Sequence, residues 1–377
     1  MKKFFFLAVA AIVALAACTK SEADKNAYER NRVINFNTVA NKATKAPITG
    51  TTYSYDCPSF GVFAYYLAEG NWNFAAANSS AVSYMEDVEV SFNDTKDIWV
   101  PSSTYYWPLQ GKLNFIAYSP YDAADATFTN AGLLTLSNFT VNTTVANQVD
   151  LLYSSVANDK TQNEAYYVDS ANSKNSETAD EDKGVNIKFK HALAQVIFKA
   201  KTADEIYANG MSFKIDTIVV NAASTATSMT VSNPTDAQLA SAITTWNSPS
   251  TNANFVVRAD DFPNATVAAA AANFLTDSLS DPIGDALLMI PVTAFAGTNP
   301  KVTVKYSQYR LSDAAYFGTK SVDIYFDDID DVVTNWQAGK KYVYNLTIDL
   351  QKIYFNPTIT AWTDGGSQDV DVPDDAS

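Results

Sequence analysis

The chain has 377 residues, 47% of them hydrophobic and 13% aromatic, and 26 basic side chains against 41 acidic ones give a net charge of −15. That balance repels nucleic acid and anionic lipid surfaces, so neither is an expected partner. The length exceeds one ordinary domain, and 21 Tyr with 21 Phe favour strands over helices.

Lys2 and Lys3 precede an uncharged apolar run from Phe4 to Leu15, followed by Ala16-Ala17-Cys18. A basic start, a short apolar stretch and small residues before a cut describe an export signal. The run is about twelve residues, well short of the roughly twenty that span a bilayer as a helix. With a cysteine directly after the small residues, the segment resembles a bacterial lipoprotein signal. The resemblance implies that residues 1–17 are removed and that Cys18 carries lipid. The protein then works outside the cytoplasm and meets a membrane only through that anchor. The second cysteine, Cys57, would be left without a disulfide partner and reads as small apolar filler. Residues 18–32 are polar and aperiodic, a tether between lipid and fold.

Beyond the tether a period of two dominates. Tyr342, Tyr344, Leu346, Ile348 and Leu350 share one face, and Asn345, Thr347 and Asp349 share the other, the pattern of a half-buried strand. Residues 302–307 alternate in the same way. Further strands are predicted at 33–39, 60–67, 113–118, 187–191, 196–201, 213–220, 322–326 and 353–362, punctuated by Pro, Gly, Asn and Asp. The one helix predicted is Ala265–Leu275, which is rich in alanine. The polar run Asp169–Lys183 marks a seam, so two domains are expected, at 33–184 and 185–377. Ser224–Ser250 reads as a long surface insertion. The fold class expected is all-β, with few short helices.

Catalytic chemistry does not find its parts. A single histidine, His191, excludes multi-histidine metal sites and leaves little room for a His-based triad. It shares an inward face with Ile187 and Phe189 and is predicted to be a packed, hydrogen-bonded core residue. No phosphate loop or dinucleotide fingerprint occurs. The acidic run 327–331 lacks the glycine and glutamate spacing of a calcium loop and reads as a solvated turn. No cofactor, metal or catalytic residue is expected, and the chain is not expected to be an enzyme. Six tryptophans could include a sugar-stacking platform, although five lie near strand-like segments and read as core or edge.

Six segments in order carry a more specific resemblance. They are FGVFAYY at 60–66; YYWP at 105–108 with KLNFIAYSP at 112–120; DLLY at 150–153; FKHALAQV at 189–196; LMIP at 288–291; and WQAGKKY at 336–342. Together, behind a lipoprotein signal, they resemble the fimbrillin family, the lipoprotein pilins of the Bacteroidales (the Mfa-like and fimbrillin A-like groups). The resemblance implies two transthyretin-like antiparallel β-sandwich domains. It also implies a subunit of a fimbria at the outer membrane and cell surface, assembled with other pilin subunits and supporting adhesion to a host or microbial surface.

The same resemblance implies that a trypsin-like protease cuts in the linker after the first strand. Lys45 is the first candidate for the cut and Lys42 the second; an uncut linker would suit an anchor subunit. Loss of the first strand, with Val33, Ile34, Phe36 and Val39, would leave an apolar groove with unpaired backbone groups. Each buried side chain there is worth roughly 1.5–3 kcal/mol. A neighbour's strand could fill that groove by β-augmentation. The candidate donor is 353–362, with Ile353, Phe355, Ile359 and Ala361 inward, and Pro357 suits an edge position. The competing reading is the last strand of its own domain. Ser170, Thr217 and Ser278 follow aspartate in the Asp-Ser/Thr-apolar pattern that these bacteria O-glycosylate. The rival function is a surface glycan-binding lipoprotein of a polysaccharide-capture system.

Overall fold

The computed structural model of the protein describes residues 33–39, 59–94, 98–161, 184–232, 244–259, 274–296, 300–329, 333–350 and 352–362. Cys18, Cys57, Lys42, Lys45, Ser170, nearly all of the helix predicted at 265–275 and the end of the acidic run lie outside them. The fold is all-β as expected, and the helix described is the single turn α1 (Asp204–Ala208), with Asp204 and Glu205 at its positive end.

The first half contributes β1 (Phe36–Val39), β2 (Phe60–Leu67), β3 (Val82–Asn93), β4 (Ile98–Pro101), β5 (Lys112–Ser119), β6 (Asp125–Phe128), β7 (Leu133–Ser137), β8 (Leu152–Ser154) and β9 (Ala157–Lys160). Next come β10 (Val185–His191), β11 (Ala194–Thr202), β12 (Met211–Thr225), β13 (Ser228–Ser232), β14 (Thr244–Asn247) and β15 (Ser250–Ala259). The remainder are β16 (Leu287–Met289), β17 (Lys301–Arg310), β18 (Tyr316–Tyr325), β19 (Lys340–Ile348) and β20 (Ile353–Ala361).

The first sheet runs β2-β3-β4-β1-β10-β8-β5-β9, and a β2–β5 pairing joins it back on itself. The strands from β2 round to β5 therefore form a closed circuit. Its interior is an apolar cluster that includes Ile34, Phe36, Phe60, Trp99, Trp107, Phe115, Val185 and Phe189. Phe60, Val62 and Ala64 of β2 face this interior, whereas Phe63 and Leu67 join the larger core outside it. Both faces of β2 are thus buried, and its sequence is a continuous apolar run rather than an alternation.

Two sheets, β16-β11-β19-β20 and β15-β12-β17-β18, make up most of the second half. A fourth sheet, β14-β13-β7-β6, joins strands from both halves. β1 pairs with β10, and β11 with β19, in parallel; the other pairings are antiparallel.

Two expectations change. Ser224–Ser250 is not an insertion, because Met229, Val231 and Trp246 on β13 and β14 are buried in the larger core against β7. The strand after the polar seam, β10, pairs with β1 and β8 of the first sheet. A parallel partner must come from beyond a crossover, and β10 is that partner for β1.

Candidate strand-exchange site

The first strand lies inside the circuit, hydrogen-bonded on both sides. Phe36 is in register with Val185 on β10 and with Trp99 on β4, and the β10 ladder continues to Val39 opposite Lys188. Val33 precedes the strand and makes an isolated bridge with Tyr106. Ile34 N–H donates to the Tyr105 carbonyl at 2.9 Å, and Val185 N–H donates to the Asn35 carbonyl at 2.9 Å. Ile34 and Phe36 are both 0% exposed, and Asn35 between them is also buried.

Phe36 presents its ring edge-on to Phe60 at 5.9 Å and to Phe115 at 5.5 Å. Phe60 in turn meets Trp99 at 5.3 Å and Phe189 at 5.5 Å. Such pairs add to the stabilisation from burial alone. Gly184 has φ +91°, and a Cβ there would lie 2.6 Å from the Asn35 carbonyl oxygen. Only glycine lets the chain enter β10 so close to β1.

At the other end of the chain, β20 is an edge strand that pairs with β19 along its whole length. Ile353, Phe355 and Ile359 pack half-buried against the larger core, as the alternation required. Ala361 does not: it is exposed, because the inward row ends before it and the chain turns into Trp362. Pro357 lies opposite Tyr344 in this edge position. Trp362 is buried and stacks on His191, with ring centroids 3.7 Å apart. The contact was not foreseeable, since no local pattern ties the end of β10 to a residue after β20.

His191 is a packed core residue, with Nδ1 2.8 Å from Asp150 Oδ2. Elsewhere in the first half, burial raises the Asp87 carboxyl above its ordinary value, although the Tyr118 hydroxyl donates to it at 2.9 Å. The same burial, with the Asp87 charge beside it, pushes the Tyr118 phenol upward. Among the described residues no group of three or more His, Cys, Asp or Glu side chains is placed to hold a metal ion. Of the glycosylation candidates, Thr217 lies within the central strand β12 beside the buried Asp216, whereas Ser278 is exposed in a loop. All six tryptophans are buried, so no indole supplies an exposed sugar-stacking face.

Comparison with known proteins gives a consistent picture. A family model described as fimbrillin-like matches residues 44–362. Fimbrium subunit Fim1C of Phocaeicola vulgatus is 27% identical over 118 residues, which cover 31% of this chain and 30% of that protein. The alignment therefore spans less than a third of the curated relative. A crystal structure of a fimbrial protein from Bacteroides vulgatus superposes with a TM-score of 0.57 at 19% identity, covering 88% of this chain and all of that one.

Proposed function

The chain belongs to the fimbrillin-like family, and we propose that it is a structural subunit of a cell-surface fimbria assembled by strand exchange and serving adhesion. In this reading the chain is exported as a lipoprotein, with lipid on Cys18, to the outer membrane. A trypsin-like protease cuts after Lys45 or Lys42, and the freed subunit polymerises with other pilin subunits. In this reading the chain forms two β-sandwich domains, and the pairing of β10 with β1 and β8 supports a boundary after β10 rather than at the polar seam.

The observation that carries the reading is the position of β1. It is not an appendage on a sheet margin but a member of the circuit, with a ladder to β10 on one side, the Phe36–Trp99 pair with β4 on the other, and Ile34 and Phe36 sealed inside. Its removal would expose an apolar slot and unpaired backbone groups along β10, which a free subunit tolerates poorly. An incoming strand restores both. β20, half-buried at a sheet edge with apolar residues on alternate positions, suits the donor role.

Trypsin treatment of the purified mature chain tests the proposal. The expected result is loss of an N-terminal piece ending at Lys45 or Lys42, followed by ladders on a gel that resist mild detergent. A cleaved product that loses residues 33–39 yet stays monomeric at high concentration would overturn polymerisation by this route.

A further inference from the structure

The only histidine in the sequence stands where three parts of the chain meet. His191 ends β10, and its register partner on β8 is Leu152. Asp150, just before β8, approaches its Nδ1 to 2.8 Å, and both side chains are buried. The imidazole lies flat on the Trp362 indole, with an interplanar angle of 5°. Trp362 follows β20 directly and donates its backbone N–H to the Gly339 carbonyl at 2.9 Å. The indole Nε1 is buried without a hydrogen-bond partner, so the ring is held by stacking and not by a polar bond of its own.

We propose that His191 and Trp362 form a proton-dependent latch that holds the end of β20 against the first sheet. With the imidazole protonated, the latch closes; with the imidazole neutral, it loosens. A cationic ring over an indole face gains an attraction that a neutral ring lacks. Asp150 supplies the countercharge through a charge-assisted contact, so covering the cation with Trp362 does not strand it in an apolar site.

Other charged groups on the surrounding elements are Lys188 and Lys190 of β10, both exposed, and Lys340 and Lys341 at the start of β19, after Gly339. Trp362 itself brings no charge from the β20 side. Among the described residues, Asp150 is set directly against the ring, 2.8 Å from its Nδ1. Because protonation favours the latched state, latching raises the proton affinity of His191. The latch is therefore fully closed at acid pH and is lost as pH rises through the histidine range. The latch needs no strand exchange; where β20 is the donor of the proposed assembly, it also sets how readily that strand is released.

Hydrogen exchange of the full mature chain, kept monomeric, reads the latch directly over residues 353–361. After correction for intrinsic exchange, protection at pH 5.5 is expected to exceed that at pH 8.0 by about three- to tenfold, a tenfold gain corresponding to a histidine midpoint that latching raises by about one pH unit. His191→Phe keeps a ring for the stack but carries no proton, and its protection is expected to be equal at the two pH values. A flat wild-type profile, or an unchanged pH dependence in His191→Phe, would overturn the latch.

Should that variant fail to fold, the lone imidazole can be followed by NMR in Trp362→Leu. Its titration midpoint is expected to fall relative to wild type, and an unchanged midpoint would also overturn the proposal. Both readouts use the monomer, so a failure to polymerise leaves them intact.

Discussion

Truncating Phe36 to alanine isolates what the first strand contributes. The side chain is fully buried, and its ring edges rest on Phe60 and Phe115. Its backbone is held between β4 and β10, by the pair with Trp99 on one side and the β10 ladder on the other, so the walls of the vacated space resist inward collapse. Loss of a buried phenylalanine under such conditions costs about 3–5 kcal/mol, transfer and cavity terms together. At 1.4 kcal/mol per decade this corresponds to an opening equilibrium raised by about two to three and a half orders of magnitude. Hydrogen exchange over residues 185–188, which pair with β1, measures that opening in the native protein. Tyr354→Ala, at an exposed position on β20, serves as the control and should leave those residues unaffected. A Phe36→Ala variant in which 185–188 exchange less than tenfold faster would refute the claim that β1 completes the core.

Two further predictions concern the same architecture. Gly184→Ala should destabilise the β1–β10 pairing by more than about 1 kcal/mol, since the added methyl meets backbone at a positive φ. It should therefore speed release of the 33–39 segment after trypsin treatment, and wild-type release kinetics would contradict it. Burial raises the phenols of Tyr153 and Tyr342 to about 12. A raised folded-state value means that the unfolded chain releases these protons first, near pH 10. The stability they protect is present below pH 10 and is lost as pH climbs toward 12. Tyr153→Phe should flatten the slope of stability against pH in that window by one proton, as read by urea midpoints across the alkaline range.

The strands most legible in the sequence are those with one wet face. In β19, Tyr342, Tyr344, Leu346 and Ile348 are all buried, and only Leu350, beyond the strand's end, falls away into solvent. β3 is hidden because a register shift opposite Val62 and Ala64 breaks its alternation, and Asp87 in it adopts φ 46°. Such a bulge puts two residues where a period of two expects one. The sheet of β6, β7, β13 and β14 is hidden differently: on β13 the outward positions are Ser228, Thr230 and Ser232, so that segment resembles loop composition although its inward residues are core. As for the site, β1 shows itself as an apolar island flanked by polar stretches. Its neighbours do not, because a parallel partner lies far along the chain and local pattern carries no record of it.

One consequence of the assembly proposal is written in the side chains of the two strands. Ile34-Asn35-Phe36-Asn37 in β1 and its approach is matched by Ile353-Tyr354-Phe355-Asn356 in β20. A donor set in that register places Ile353 and Phe355 where Ile34 and Phe36 now seal the interior. The mismatch falls at the second position, where Asn35 is 8% exposed while Tyr354 stands 53% exposed at its own edge. A tyrosine at the buried position that Asn35 occupies overpacks the space left for the smaller side chain.

A synthetic peptide of residues 352–361 added to trypsin-treated chain should therefore bind the opened groove, and Phe355→Ala in the peptide should weaken it by at least about tenfold, roughly the 1.4 kcal/mol of one decade. Tyr354→Asn should tighten it. Binding that is indifferent to Phe355, or weakened by Tyr354→Asn, would mean that β20 enters in another register or not at all.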